Sequence, residues 1–176
     1  VLEYTKQTLS KLKTDRLEIV AQSHNLVELS KVFADKNTME LYPMLLLGDD
    51  QFLEQSLELL AKYNILVFPF IENESGVVVG FITLNNMEED AKEIEIGYFL
   101  GSDYWGRGYA GEIVQGLITL LTKQRWRKIN ASLYSGNTAS EKLLQKCGFT
   151  LERIDKDKHT INGKAHDDIV YSIQTK

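Results

Sequence analysis

Midway along the chain the hydrophobic period changes from that of a strand to that of a helix, and the order of the change limits the folds available. Three apolar runs, "ILVFPFIE" (Ile65 to Glu72), "GVVVGFITLN" (Gly76 to Asn85) and "KEIEIGYFL" (Lys92 to Leu100), are joined by polar turns containing Gly or Asn. They predict an antiparallel meander. A helical pattern from about Tyr109 to Lys123 follows, then a strand, "KINASLY" (Lys128 to Tyr134), and a helix, "TASEKLLQKC" (Thr138 to Cys147), stopped by Gly148. A helix crossing between two strands of one sheet makes them parallel, so the sheet is mixed, with one internal parallel junction.

The flanks extend this pattern. "DRLEIV" (Asp15 to Val20) reads as a first strand. Two helices are expected next, Ser23 to Asp35 with a Ser N-cap and apolar Leu26, Leu29 and Phe33, and Gly48 to Asn64 capped by Asp49 or Asp50. Near the end, Asn162-Gly163 signals a type I′ hairpin that sets His159 opposite His166. The expected architecture is a single α/β domain over residues 1–176. Its mixed, mostly antiparallel sheet of six to seven strands is flanked by about four helices.

With 176 residues, 43% hydrophobic and 26% charged, the chain has the composition of an ordinary one-domain globular protein. The longest apolar run, Ile65 to Ile71, is too short to span a bilayer, and the first residues lack the apolar core of a signal peptide. A single cysteine, Cys147, excludes an intramolecular disulfide, so a reducing cytoplasm is the expected location. A net charge of −5 disfavours nucleic acid and favours small cationic partners. No membrane association is expected, and a homodimer is left open.

The glycine-rich segment "GYFLGSDYWGRGYAGEIV" (Gly97 to Val114) lies at the parallel junction, where open sheets tend to bind ligands. Gly106, Gly108 and Gly111 free the backbone to turn N–H groups inward, and a helix starting near Tyr109 directs its positive end at the same place. Such a loop suits a pyrophosphate or is simply a turn. It lacks the Lys-Ser/Thr ending of a P-loop and the full Gly-x-Gly-x-x-Gly of a dinucleotide site.

In their order, "IEIGYFL", "WGRGYAGE" and "NASLYSGNTASEKLLQKCGF" resemble the GNAT (general N-acetyltransferase) superfamily, in the branch of the ribosomal-protein N-terminal acetyltransferases. The resemblance runs from "TDRLEI" through the terminal hairpin. It implies acetyl-CoA as cosubstrate, no metal, and direct transfer of acetyl to a primary amine, such as a protein N-terminus, a polyamine or another small amine. By the same resemblance, backbone N–H groups of Gly106, Arg107, Gly108, Tyr109 and Ala110 hold the pyrophosphate, with Trp105 shaping the loop. Phe99 and Leu100 pair with the pantetheine arm, and Asn137 and Ser140 lie near the thioester sulfur.

Catalysis needs a group to receive or orient the amine's proton. Glu93 and Glu95 share one face of their strand, and Glu95 stands at the family's frequent carboxylate position; a solvated sheet face is the competing reading. Many relatives protonate the departing thiolate with a tyrosine where this chain has Leu144, which leaves Ser140 or a water. For Asn137 the alternative is helix capping. His159 and His166, with Asp157, Asp167 and Asp168 nearby, lack the remaining ligands of a zinc site. "NTMELYPMLLLGDD" (Asn37 to Asp50) is the candidate acceptor wall or plain core. A non-catalytic CoA-binding module of the same fold is the competing function.

Overall fold

The computed structural model describes residues 7–10, 12–21, 26–40, 42 and 53–175. Seven strands form one sheet in the order β1-β2-β3-β4-β5-β7-β6. They are β1 (Leu17–Ile19), β2 (Leu66–Glu72), β3 (Val78–Glu88), β4 (Glu93–Leu100), β5 (Lys128–Tyr134), β6 (Thr150–Ile161) and β7 (Lys164–Gln174). Only β4 and β5 run parallel; the other neighbours are antiparallel. The described residues also form helices α1 (Leu26–Ala34), α2 (Leu53–Lys62), α3 (Tyr109–Lys123) and α4 (Thr138–Lys146), with a 3₁₀ turn at Ser102–Tyr104. The expected caps Ser23, Asp49 and Asp50 lie outside the described residues.

Both faces of the sheet are covered, and strand alternation divides the core between them. Leu29, Val32 and Phe33 of α1 and Leu53 and Leu57 of α2 pack on Val67, Val78 and Phe81. On the other face Ile113, Leu117 and Leu121 of α3 and Leu144 of α4 pack on Ile82, Leu84, Ile94 and Ile96. The α3 residues recur at helical spacing and are fully buried, each contributing roughly 1.5–3 kcal/mol through removal of apolar surface from water.

Two local irregularities matter for the site. Strand β3 extends past its expected end at Asn85 because the register shifts between Asn85 and Glu88, where Asn86 takes a left-handed φ of 46°. In the terminal hairpin Asn162 (φ 51°) and Gly163 (φ 76°) make the expected turn, and His159 faces His166. A second register shift, between Asp155 and His159, includes Asp157 at φ 50°. Such bulges bend a strand and re-aim its side chains.

Candidate active site

Strands β4 and β5 pair only from Glu93↔Lys128 to Glu95↔Asn130, although β4 continues to Leu100 and β5 to Tyr134. Each strand keeps its other partner over the unpaired stretch: β5 pairs with β7 as far as Tyr134↔Asp168, and β4 pairs with β3 as far as Gly80↔Leu100. Beyond Glu95 the sheet opens into a cavity of about 1060 Å³. Its walls include Tyr98, Gly108, Ser140 and Leu144 on the α3–α4 side, and Glu95, Phe99, Tyr42 and Tyr134 on the α1–α2 side.

The glycine loop closes the α3–α4 side. Gly106 (φ 75°) and Gly108 (φ 81°) adopt left-handed conformations that only glycine accepts without cost. Gly108 is the N-cap of α3 and offers no side-chain hydrogen bond; the first intrahelical bond runs from Glu112 N to Gly108 O at 3.1 Å. The N–H groups of Tyr109, Ala110 and Gly111 therefore have no partner within the helix, and all three residues line the cavity. An anion is favoured there by those donors and by the helix dipole.

Arg16, from a distant part of the chain, braces the loop and was absent from the residues singled out by sequence. Its guanidinium pairs with Glu112 at 2.6 Å, donates to the Arg107 carbonyl at 2.9 Å and stacks 4.7 Å above the Tyr109 ring. The Tyr109 hydroxyl donates to Glu72. Arg107 turns its side chain to the Asp103 carbonyl (3.1 Å) and the Tyr104 ring, outside the cavity walls.

Burial of Glu112 works to raise its carboxyl pKa, but hydrogen bonds from Thr14 and Arg16 and the charge of Arg16 together hold it below the ordinary carboxylate value. A depressed carboxyl stabilises the fold above the unfolded-state pKa, and the stabilisation is lost as pH falls through the folded value. The Arg16 side chain is 48% exposed, so the pair contributes about 1 kcal/mol at most. Glu112→Gln is expected to lower Tm by ~3 °C at pH 7. Thermal melts from pH 7 to 3 check this: the gap to wild type closes below the ordinary carboxylate pKa, about 4.3.

At the strand end one expectation requires correction. Gly101 N donates to Val79 O across β3, which makes Gly80↔Leu100 a non-hydrogen-bonded pair and Phe81↔Phe99 the pair that exchanges both bonds. The Phe99 backbone is thus committed to β3 and is not offered to an added strand. The Tyr98 and Leu100 backbones point the other way, into the opening. The Leu100 carbonyl already accepts from Thr38 Oγ1 (2.9 Å) and Trp105 Nε1 (2.8 Å), so Tyr98 holds the groups best placed for a bound chain.

Asn137 caps α4 by accepting from Ser140 N at 3.2 Å, and it also lines the cavity. Ser140 is a half-buried cavity residue whose carbonyl lies 3.4 Å from the Tyr98 hydroxyl. Burial pushes the Tyr98 phenol up to about 12, so it stays protonated. Leu144, in the slot where many relatives have a tyrosine, is a buried apolar wall. Cys147 is buried too, which raises its thiol pKa.

On the α1–α2 side, Glu95 accepts from Asn86 Nδ2 at 2.7 Å, a contact the β3 bulge makes available. Glu93 instead faces Lys128 at 3.5 Å, and that lysine is also held by Glu152 at 2.7 Å. The buried Oδ1 of Asn130, in register with Glu95, has no hydrogen-bond donor among the described residues. A row of ring contacts crosses this face from Phe33 through Phe81, Phe99, Tyr42 and Tyr134 to His159. Tyr42 spans the opened sheet by touching Phe99 of β4 and Tyr134 of β5. From the segment Asn37 to Asp50, Asn37, Thr38, Glu40 and Tyr42 line the cavity; residues 41 and 43–50 lie outside the described set.

The His residues of the hairpin have different surroundings. His166 Nδ1 meets the Ser135 carbonyl at 2.8 Å, whereas His159 Nε2 lies 3.8 Å from Asp168 Oδ1. Among the described residues no three His, Cys, Asp or Glu side chains converge as a metal site. No described helix is long and apolar enough to cross a membrane.

Comparison with known proteins gives this geometry a family. The model of the acetyltransferase (GNAT) domain matches residues 16–150. An uncharacterised N-acetyltransferase of Bacillus licheniformis, p20, is 34% identical over 107 residues, covering 60% of either chain. An acetyltransferase (GNAT family) structure from Bacillus anthracis superposes with a TM-score of 0.80 at 21% identity, over 93% of this chain and 97% of that one. The ribosomal L7/L12 α-N-protein acetyltransferase RimL, solved with coenzyme A, gives a TM-score of 0.78 at 20% identity, over 92% and 96% of the two chains. The family match reaches from Arg16, just ahead of β1, past α4 to the first residue of β6, so it takes in the opened sheet, the glycine loop and its brace: the chain belongs to the GNAT acetyltransferase family.

Proposed function

We propose that the protein transfers the acetyl group of acetyl-CoA directly to a primary amine, an α-amino group being the acceptor its chemistry suits best. The observation that carries this reading is the interrupted β4–β5 pairing, with uncapped helix donors on one side of the cavity and Glu95 on the other. The coenzyme A complex of the RimL structure supports the choice of cosubstrate.

In this reading the backbone N–H groups of Gly106 through Ala110 hold the pyrophosphate, with Arg16 supplying formal positive charge beside Gly108. Trp105 closes the strand end through its bond to Leu100. The Tyr98 backbone, unpaired on its β5 side, binds the pantetheine arm and donates to the carbonyl oxygen as it gains charge. Glu95 orients the amine or a water that relays its proton. That water also satisfies the buried Asn130 Oδ1. As the N–C bond forms the C–S bond breaks, and Ser140 or a water protonates the thiolate. Asn137 positions Ser140 through the cap.

The apolar Leu144 in the usual acid slot favours the second reading, a CoA-binding module without turnover. Mixing the protein with acetyl-CoA and a panel of peptides, polyamines and aminoglycosides while measuring free thiol separates the two. Thiol release is expected with peptides bearing a free α-amine; tight binding without release across the panel selects the module. Glu95→Gln is expected to lower kcat/KM on the order of 10²-fold. An unchanged value removes Glu95 from the mechanism.

A further inference from the structure

The α1–α2 side of the cavity ends in a group of side chains that Glu95 does not explain. Asp168 is a buried carboxylate, 8% exposed, in register with Tyr134 where β5 reaches the cavity. One of its oxygens takes Lys158 Nζ at 2.8 Å, and the other faces His159 Nε2 at 3.8 Å. Two consecutive β6 residues reach the same carboxylate because the strand bulges between Asp155 and His159, with Asp157 in a left-handed conformation. A regular strand would send Lys158 and His159 to opposite faces.

The His159 ring also packs on Tyr134, 4.7 Å between centroids, at the end of the aromatic row that includes Tyr42 and Phe99. Its side chain remains 33% exposed, and His159, Asp168, Tyr134 and Tyr42 all line the cavity. A proton acceptor beside a buried anion, in a chamber walled by ring faces, is an arrangement for an ammonium group that must lose a proton.

We infer that His159 takes the proton from the acceptor's ammonium group, with Asp168 as its positioning residue, and that the acceptor is therefore an α-amine. This rests on the acetyl-transfer reading. Before attack, one proton passes from the ammonium nitrogen to the imidazole and on to solvent. The neutral nitrogen then attacks the thioester carbonyl, the C–S bond breaks, and the second proton lost by nitrogen balances the one gained by the thiolate. An α-amine, at about 7.8, gives up its proton near pH 7 far more readily than a lysine-type amine at about 10.4. It therefore asks the least of the base that receives that proton.

Several charged groups set the balance around His159. Asp168 faces it from β7 and Lys158 competes for that carboxylate from β6. His166 stands opposite, and the phenols of Tyr134 and Tyr42 close the β5 side, each kept protonated chiefly by burial. Farther along β6, Asp155 binds both Arg153 and Lys158.

The test measures thiol release from acetyl-CoA with a short serine- or alanine-initiated peptide amide and with spermidine, from pH 6 to 9. It uses wild type, His159→Gln, His159→Phe and Asp168→Asn. His159→Phe keeps the ring packing but cannot take a proton. Both His159 variants are expected to lose about 100-fold in kcat/KM for the peptide at pH 7. The loss shrinks as pH rises past the α-amine pKa, because a neutral amine needs no base. Asp168→Asn falls between them and wild type, with the same narrowing. Acetyl-CoA affinity by calorimetry stays at the wild-type value in both His159 variants. Wild-type kcat/KM in His159→Phe, a deficit independent of pH, or spermidine outpacing the peptide overturns the proposal and leaves acetyl transfer standing. No thiol release from wild type with any amine overturns the acetyl-transfer reading itself.

Discussion

Gly108→Glu is expected to abolish acetyl-CoA binding, with calorimetry showing at least a 100-fold loss of affinity. Gly108 caps α3, so a carboxylate there enters the field of the helix N-terminus where the pyrophosphate is proposed to sit. The variant still folds. A Cβ at this position meets only Arg16 Nη2, at 3.5 Å, which is ordinary contact. The left-handed backbone (φ 81°) costs an L-residue about 1–2 kcal/mol, or ~3–6 °C in Tm. Gly111→Glu separates charge from strain, because Gly111 lies within α3 and a Cβ there has nothing within 4 Å. It is expected to lose affinity with little change in Tm. Wild-type affinity in both variants would rule out the loop as the anion site.

Gly80→Ala is expected to have the largest effect on stability. A Cβ on Gly80 would sit 2.3 Å from the Phe99 carbonyl oxygen and 2.5 Å from Phe70 Cζ. That carbonyl is fixed by the Phe81↔Phe99 pair, so relief requires strand β4 to move. Overpacking of this kind, against backbone that cannot rotate away, costs about 3 kcal/mol, a Tm drop of roughly 6–12 °C for a domain of this size. Gly97→Ala provides the contrast. Its Cβ would also approach to 2.3 Å, but the obstacle is Thr83 Oγ1, a side chain that can rotate. Denaturant melts should place Gly97→Ala well above Gly80→Ala; the reverse order would show that β4 yields more readily than the threonine.

Why some of the molecule could be read from sequence and some could not follows from the range of the interactions. Period and turn chemistry are local, so α3 at Tyr109–Lys123, β5 at Lys128–Tyr134 and the Asn162-Gly163 turn were legible residue by residue. The parallel junction followed from element order. Hydrogen-bond parity does not appear in a hydrophobic pattern: Phe99 and Tyr98 both belong to a readable strand, yet only the register with β3 shows which backbone faces the opening. Arg16 and Glu112 are far apart in sequence, and neither residue announces the other. For His159 and Asp168 the hairpin register gives proximity only, and regular alternation would send Lys158 and His159 to opposite faces. The bulge that gathers Lys158 and His159 onto one carboxylate has no signature as plain as Asn-Gly.

The interrupted pairing of β4 and β5 has an evolutionary consequence. Because the chamber has walls from two separately packed layers, mutations in one layer leave the other's chemistry largely intact. In the proposed reading the α3 loop and its arginine brace can be retained while Tyr42, Tyr134 and the β6 bulge are exchanged, so a lineage can change its clientele without rebuilding its handle on the donor. The determinants of the proposed acceptor are then best sought in the layer carried by α1, α2 and the terminal hairpin.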